Sequence, residues 1–412
     1  MHLAHLSLTN FRNFIRLDTD IPTGPLILVG ANAQGKTSLL EAIYYLAGAS
    51  SPHTASDRQL INFLALHADP PFTRLVGEVR RADRLQRIEI RVVLESGAPG
   101  EEPRLRKEVL LNGLKRRTRD LSGGFNAVLF LPQDLGVIEG APGDRRRYLD
   151  NAVAQADPVY ADALSEYGRV LTQRNALLRQ LQERSNTARL ANGNGSQVDF
   201  WDEQLCNLGA ILIRGRALAI SELDQLAGPI HARLSNGAEN LHLSYRPSFD
   251  PLPRPEGQLG LPLETPLDRS AVPQTAIAKG MRAALRSARA DEIARGMTLL
   301  GPHRDEFRLV ADGVDLGTYG SRGQNRTAML SLKLAEVDWV RACTGEWPAL
   351  LLDEVLAELD VRRRAALLER VHAAEQAILT SADLAMFPDD FRAAATLWRI
   401  ESGTVRTEPA VH

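Results

Sequence analysis

Between the apolar run Pro25-Leu26-Ile27-Leu28-Val29 and the helical pattern Ser38-Leu39-Leu40-Glu41-Ala42-Ile43, the chain reads Gly-Ala-Asn-Ala-Gln-Gly-Lys-Thr from Gly30 to Thr37. This is the pattern G-x-x-x-x-G-K-[ST] of a phosphate-binding loop set between a strand and a helix. Gly30 and Gly35 let the backbone turn tightly, so that the N–H groups opening the next helix point into one concavity that suits an anion. In such a loop Lys36 reaches the β- and γ-phosphates and the Thr37 hydroxyl sits on Mg²⁺, which is why the pattern ends in Lys followed by Ser or Thr.

The rest of the chain is expected to build an α/β domain around that loop. Leu3 to Leu8 alternates as a strand, and Pro22-Thr23-Gly24 turns into the strand before the loop. Phe72 to Val79, Arg87 to Leu94 and Leu105 to Leu111 read as an antiparallel meander, with Asn112-Gly113 closing one hairpin. Ala127 to Leu131 reads as a buried strand stopped by Pro132. From about Asp144 to Arg184, and again from about Asp199 to Leu234, apolar residues recur at helical spacing, and Asn192-Gly193-Asn194-Gly195-Ser196 between them suggests a helical hairpin. Residues 247–273 carry seven prolines and are read as a surface loop. A short strand at Phe307 to Val310, a helix from Thr327 to Val340 and strands at Ala349 to Leu352, Ala377 to Thr380 and Leu397 to Ile400 return the pattern to α/β.

At 412 residues the chain is long enough for two or three domains. Its formal net charge of −2 neither favours nor excludes a polyanionic partner, so any nucleic-acid contact must be a local patch. The two cysteines, Cys206 and Cys343, lie in helical segments with no metal-like spacing; both are expected in the core of a protein kept reduced. No basic-then-apolar leader and no long apolar run is present, so a cytoplasmic protein that does not span a membrane is expected.

Ligands of parallel α/β sheets sit beyond the carboxyl ends of the strands, which directs attention to four further segments. Leu350-Leu351-Leu352-Asp353-Glu354 delivers two carboxylates at a strand end: Asp353 to orient Mg²⁺, Glu354 to polarise an attacking water. Gly320-Ser321-Arg322-Gly323-Gln324 leads into a helix and offers a second anion-binding surface. Gln133 after Pro132 is a candidate ligand of Mg²⁺ or of the attacking water, and the Thr380 hydroxyl a candidate donor to a γ-phosphate.

In their order along the chain these motifs resemble an ATP-binding-cassette ATPase head, with a phosphate loop, a glutamine loop at Gln133, a signature from Ser321 to Gln324 and an acidic strand end followed by Leu359-Asp360. More narrowly, the chain resembles the RecF family of bacterial recombination mediators. The matching stretches are Leu6 to Phe14, Gly30 to Thr37, Leu131-Pro132-Gln133-Asp134-Leu135, Gly143 to Asp150, Gly301-Pro302-His303-Arg304-Asp305, Ser321 to Gln324 and Leu350 to Asp360. The resemblance implies an α/β fold: an ABC-type P-loop ATPase head from residues 1–140 and 296–412, related to SMC and Rad50 heads, with a mainly helical second lobe at 141–295. It assigns Asn32, Gly35, Lys36 and Thr37, with Gly30 and Ser38 of the same loop, to the nucleotide and its metal. Arg12 would lie near that nucleotide, Gln133, Asp353 and Glu354 would serve Mg²⁺ and hydrolysis, and Thr37, Gln133 and Asp353 would be the metal's residues. Ser321, with Arg322, Gly323 and Gln324, would meet ATP held by a second copy, so that each copy carries two half-sites.

The implied activity is a slow, DNA-stimulated ATPase acting as a switch. ATP would drive a homodimer to clamp duplex, gapped or junction DNA without sequence preference, and RecO and RecR are the implied partners. Two departures stand out: the signature reads Ser321-Arg322-Gly323-Gln324 where transporters have S-G-G-Q, and Thr380 occupies a position often held by histidine. A neutral hydroxyl transfers no proton near neutral pH, which favours slow hydrolysis. Of three basic clusters, Lys115-Arg116-Arg117-Thr118-Arg119, Arg145-Arg146-Arg147 and Arg362-Arg363-Arg364, the first is the favoured DNA contact, with Lys115, Arg116 and Arg117 foremost. The rival readings are the nucleotide-binding subunit of a transporter, which would normally keep S-G-G-Q and histidine, and a chromosome-organising ATPase, which would insert hundreds of heptad residues between the two head halves.

Overall fold

The computed structural model describes residues 1–54, 56–82, 84–95, 103–186, 195–252 and 268–408. The chain forms two compact units, Met1–Asp134 with Glu336–His412, and Leu135–Ala335. Residues 296–335, placed with the head from the sequence, thus group with the second unit. The turn expected from Asn192 and most of the proline-rich stretch lie outside the described residues.

The N-terminal alternation forms β1 (His2–Phe11) and β2 (Phe14–Asp20), followed by β3 (Gly24–Val29) and α1 (Lys36–Gly48). The meander is β4 (Phe72–Arg80), β5 (Leu85–Glu95), β6 (Arg104–Leu111) and β7 (Leu114–Arg116). Asn112 and Gly113 both take positive φ, 51° and 80°, as a two-residue hairpin turn requires. β8 (Ala127–Phe130) ends before Pro132.

In the second unit come α2 (Gly136–Glu139), α3 (Pro142–Ala156), α4 (Pro158–Asn186), α5 (Gly195–Ser235), β9 (Leu241–Arg246), α6 (Gln274–Arg295), β10 (Glu306–Ala311), β11 (Val314–Asp315) and α7 (Leu316–Tyr319). Then α8 (Arg322–Thr344) leads to β12 (Ala349–Asp353), α9 (Val361–Ala373), β13 (Gln376–Ser381), α10 (Asp389–Ala394), β14 (Thr396–Glu401) and β15 (Thr404–Glu408).

The first unit stacks two six-stranded sheets on one buried helix. One sheet is antiparallel, in the order β2-β1-β4-β5-β6-β7; the other runs β15-β14-β3-β13-β12-β8 and is parallel except for β15. α1 lies between them, and Leu39, Leu40, Ile43, Tyr45 and Leu46 are all buried, as expected for a helix covered on both sides. In the parallel sheet Asp353 stands beside Thr380, and Ser381 beside Val29, so the ends of β12, β13 and β3 share one edge. That edge positions the site.

In the second unit, the helical run expected from Asp144 to Arg184 is two helices. Pro158 disfavours helical backbone at Asp157, which is extended (φ −127°), and the Asp157 carboxylate then caps α4 by accepting from Val159 N at 2.8 Å. α4, α5 and α6 pack together around the fully buried Arg174, which donates to Asp202 (2.8 Å), Glu292 (2.6 Å) and Thr298 (2.7 Å). The strand at Phe307 to Val310 does not join the large sheets; β10 pairs with β9 and β11 in a separate antiparallel sheet. Cys206 is buried as expected, whereas Cys343, near the C-terminal end of α8, is exposed. Among the described residues no helix is long and apolar enough to cross a membrane.

Candidate functional site

The loop from Gly30 to Gly35 is shaped by contacts that leave no room for side chains at its two glycines. A Cβ on Gly30 would stand 2.4 Å from Ile400 O, and one on Gly35, whose φ is +118°, would stand 2.4 Å from Asn13 Nδ2. Asn13 Nδ2 donates to Gln34 O at 2.8 Å, and Ser402 N to Gln34 Oε1 at 2.7 Å, which pins the loop from both sides. α1 begins immediately afterwards with no side-chain cap and no acidic residue in its first turn, so its leading N–H groups remain available to an anion.

Lys36, only 4% exposed, donates to Gly30 O at 2.7 Å and to Ala31 O at 3.2 Å, and its Nζ lies 3.1 Å from Glu354 Oε1. The Thr37 hydroxyl lies 3.0 Å from both carboxylate oxygens of Asp353. Thr380 donates to Asp353 Oδ1 at 2.8 Å and accepts from Glu354 N at 2.9 Å. Glu354 has a φ of 52°, a left-handed conformation that turns the chain sharply at the strand end. The hydroxyl of Thr380 thus fixes both acidic residues, one through its carboxylate and one through its backbone.

A cavity of about 610 Å³ opens over these groups. Asn32, Gly35, Lys36, Thr37, Ser38, Asp353 and Glu354 line its polar floor, and Arg12 lines it as well. Gln133 and Thr380 do not line it: Pro132 stands there instead of Gln133, whose Nε2 lies 3.2 Å from His53 Nδ1, and Thr380 is buried behind Asp353. Arg12 is held in a bidentate pair with the buried Glu41, at 2.8 and 2.7 Å, and donates to Gln59 O at 3.0 Å. Glu41, Asn13 and the wall from Ile61 to Leu64 were not marked by the sequence. Glu41 has the spacing of any residue of α1, and its partner lies far away along the chain.

Among the described residues no group of three or more His, Cys, Asp or Glu side chains forms a metal cage. Mg²⁺ ordinarily keeps several waters and takes only one or two protein ligands beside phosphate oxygens, so a Thr37 hydroxyl next to the Asp353 carboxylate fits such an ion.

In the second unit, Ser321 to Gln324 forms a reciprocal cap on α8. Ser321 N donates to Gln324 Oε1 at 2.9 Å, and Gln324 N to Ser321 Oγ at 3.3 Å. Arg322 and Gly323 are exposed at the helix start. The basic clusters separate physically. Arg145 is buried and donates to Glu306, Ile138 O and Gly140 O, and Arg146 donates to Asp305 O, so this run is mostly internal bracing. Arg363 and Arg364 are engaged by Asp360 and Leu359 O at the start of α9. Lys115, Arg116 and Arg117 are exposed on the β6–β7 hairpin, with Lys115 3.1 Å from Glu108.

Comparison with known proteins agrees with this architecture over the whole chain. The profile of the RecF/RecN/SMC N terminal domain family matches residues 2–402. The DNA replication and repair protein RecF of Roseiflexus castenholzii is 42% identical over 412 residues, covering 98% of this chain and 99% of its own length. That of Bacillus subtilis is 34% identical over 405 residues, covering 98% and 100%. A solved structure of the recombination mediator protein RecF with ATP superposes with a TM-score of 0.81 at 28% identity, covering 99% of this chain and 97% of its own. Matched end to end in sequence and in fold, with an ABC-type ATPase head and an inserted mainly helical lobe, the chain belongs to the RecF family within the RecF/RecN/SMC class.

Proposed function

We propose that this protein is an ATP-switched DNA-binding protein of replication and recombinational repair. One observation carries the reading: Lys36 pairs with Glu354 and Thr37 with Asp353 at the edge of one parallel sheet, on the floor of one cavity. The relatives of the chain, named for DNA replication and repair, and the ATP-bound RecF structure support the choice of nucleotide and pathway.

In this reading the N–H groups at the start of α1 and Lys36 bind the phosphates of ATP, with Asn32 and Ser38 beside them and Arg12 at the rim of the cavity. Thr37 and Asp353, with Gln133 once released from His53, would hold Mg²⁺, which would supply charge neutralisation. Glu354 accepts a proton from the attacking water. Thr380 positions Asp353 and Glu354, and donates to a γ-phosphate only by giving up its single donated bond, to Asp353. Ser321, Arg322, Gly323 and Gln324 close on the ATP held by a second copy, so nucleotide drives a homodimer. The dimer clamps duplex, gapped or junction DNA through phosphate contacts, Lys115, Arg116 and Arg117 among them, and slow DNA-stimulated hydrolysis releases it. RecO and RecR are the partners that family membership suggests.

Sedimentation velocity with and without ATP, and with a gapped duplex, tests the reading. The expected result is a monomer that dimerises with ATP and then carries DNA. Lys36→Ala should abolish both steps; Ser321→Arg should bind ATP and stay monomeric. A native chain that neither dimerises nor retains DNA with ATP would sink the proposal.

A further inference from the structure

The signature turn is gripped by residues that no motif marks. Gln324 Nε2 donates to Glu239 Oε1 at 2.9 Å. Glu239 lies in the connection from α5 to β9, and its other oxygen faces the Nε2 of His231 at 3.1 Å. His231 belongs to α5, is fully buried, and sets its Nδ1 3.2 Å from Ser331 Oγ in α8. Ser331 donates to Thr327 O at 2.7 Å, and Thr327 Oγ1 to Gly323 O at 2.8 Å. The contacts therefore form a closed circuit from Gln324 out to α5 and back to Gly323. The connection carrying Glu239 is itself tied down, since Asn240 N donates to Asp312 Oδ1 and Asp312 N to Asn240 O, each at 3.1 Å.

A primary amide can present its oxygen or its nitrogen to either side, and a carboxylate can only accept. Glu239 therefore decides which way Gln324 faces. With Nε2 drawn to Glu239, Oε1 is left to accept from Ser321 N, and the cap that shapes the signature turn closes. Without Glu239 the amide is free to reverse or swing out, and Ser321 N loses its partner.

We infer that Glu239, braced by His231, is the positioning residue that sets the Ser321–Gln324 turn for the nucleotide of a second copy. The inference rests on the reading above that this turn acts across a dimer. It assigns Glu239 no contact with ATP.

The test measures the dimer dissociation constant in ATP by sedimentation, beside binding of a fluorescent ATP analogue to the dilute monomer. Glu239→Ala should weaken ATP-dependent dimerisation about tenfold, the usual scale for losing a hydrogen bond to a charged group, while monomer nucleotide affinity stays put. Because Glu239 acts through Gln324, the double variant Glu239→Ala/Gln324→Ala should lose no more than Gln324→Ala alone. If Glu239→Ala does not fold, the exchange of the pair decides. Gln324→Glu alone sets two carboxylates together and should weaken dimerisation, and adding Glu239→Gln should restore it by re-creating one donor facing one acceptor.

Native-like dimerisation in Glu239→Ala, losses that multiply in the double variant, or an exchange that fails to restore would each overturn the inference. A loss of monomer ATP affinity in Glu239→Ala marks a general folding defect, and the exchange of the pair, read in the same two measurements, then decides. A native chain that stays monomeric in ATP fails the underlying reading, and this inference with it; the variant outcomes fail this inference alone.

Discussion

Lys36 Nζ and Glu354 Oε1 stand 3.1 Å apart, so the lysine of the phosphate loop and the carboxylate at the end of β12 hold one another across the cavity floor. Glu354 reaches that position through a left-handed backbone conformation, held in place by Thr380 Oγ1 accepting from its N–H. In the proposed function a γ-phosphate arriving at Lys36 would compete with Glu354 for the same ammonium, and the displaced carboxylate would be free to take a water.

Two effects of Glu354→Gln follow from this geometry. The neutral amide competes more weakly for Lys36, so ATP should be held at least as tightly. The proposed base is removed, so turnover should fall by about 10²-fold or more. Single-turnover phosphate release beside nucleotide dissociation tests both, and native turnover in the variant would refute the assigned base.

Thr380→Val keeps the shape of the side chain and removes the hydroxyl. Asp353 loses a donor and Glu354 N loses its acceptor at a buried site, at a cost of about 1–3 kcal/mol for a group left unpaired. The variant should melt at a lower temperature and hydrolyse ATP more slowly with little change in nucleotide affinity. Unchanged hydrolysis would show that the hydroxyl is not needed to position either carboxylate.

Neutralising Lys115, Arg116 and Arg117 together with alanine should weaken DNA binding uniformly across sequences. It should also make the logarithmic salt slope shallower by up to about 3, near one unit per lost phosphate contact. Titrations over a salt series measure this. An unaltered slope would move the DNA contact elsewhere on the surface.

Burial holds the His303 imidazole down at about 4, and the neutral ring is engaged by Tyr167 through Nδ1 at 2.9 Å and by Thr298 O through Nε2 at 3.3 Å. In the unfolded chain the ring takes a proton near 6.5, so the unfolded state binds the proton first as pH falls. The stability owed to neutral His303 is complete above about 6.5 and is lost progressively down to about 4, by about 3 kcal/mol in all. Urea unfolding at pH 7, 5.5 and 4.5 should show this slope, and His303→Gln should remove the part of it, about 2 kcal/mol, that falls between pH 7 and 4.5. An identical slope in the variant would mean that His303 does not titrate in this window.

Most of the α/β unit was legible in the chain because local rules act there without competition. Strict alternation, an Asn112-Gly113 turn and a glycine loop between strand and helix each have one cheap conformation, and the motif residues at Lys36, Thr37, Asp353 and Glu354 are brought to one cavity. The helical stretch was read as continuous because spacing alone does not show that Pro158 leaves Asp157 extended. β9 and α6 lie outside the sequence reading although Leu241, Leu243 and Tyr245 alternate and Ile277, Met281 and Leu285 recur every fourth residue, because the proline-rich stretch between them draws the whole region into one loop.

The phosphate loop, the acidic strand end and the order of motifs that belongs to one family are written in neighbouring residues and so are legible without a fold. The long-range partners needed the folded chain: Arg12 with Glu41, Thr380 behind Asp353 rather than facing the cavity, Arg145 buried on Glu306, and Gln324 bonded to Glu239. A side chain's role in such pairs depends on which donor meets which acceptor after the chain has folded, and residues far apart in sequence carry no local mark of that meeting.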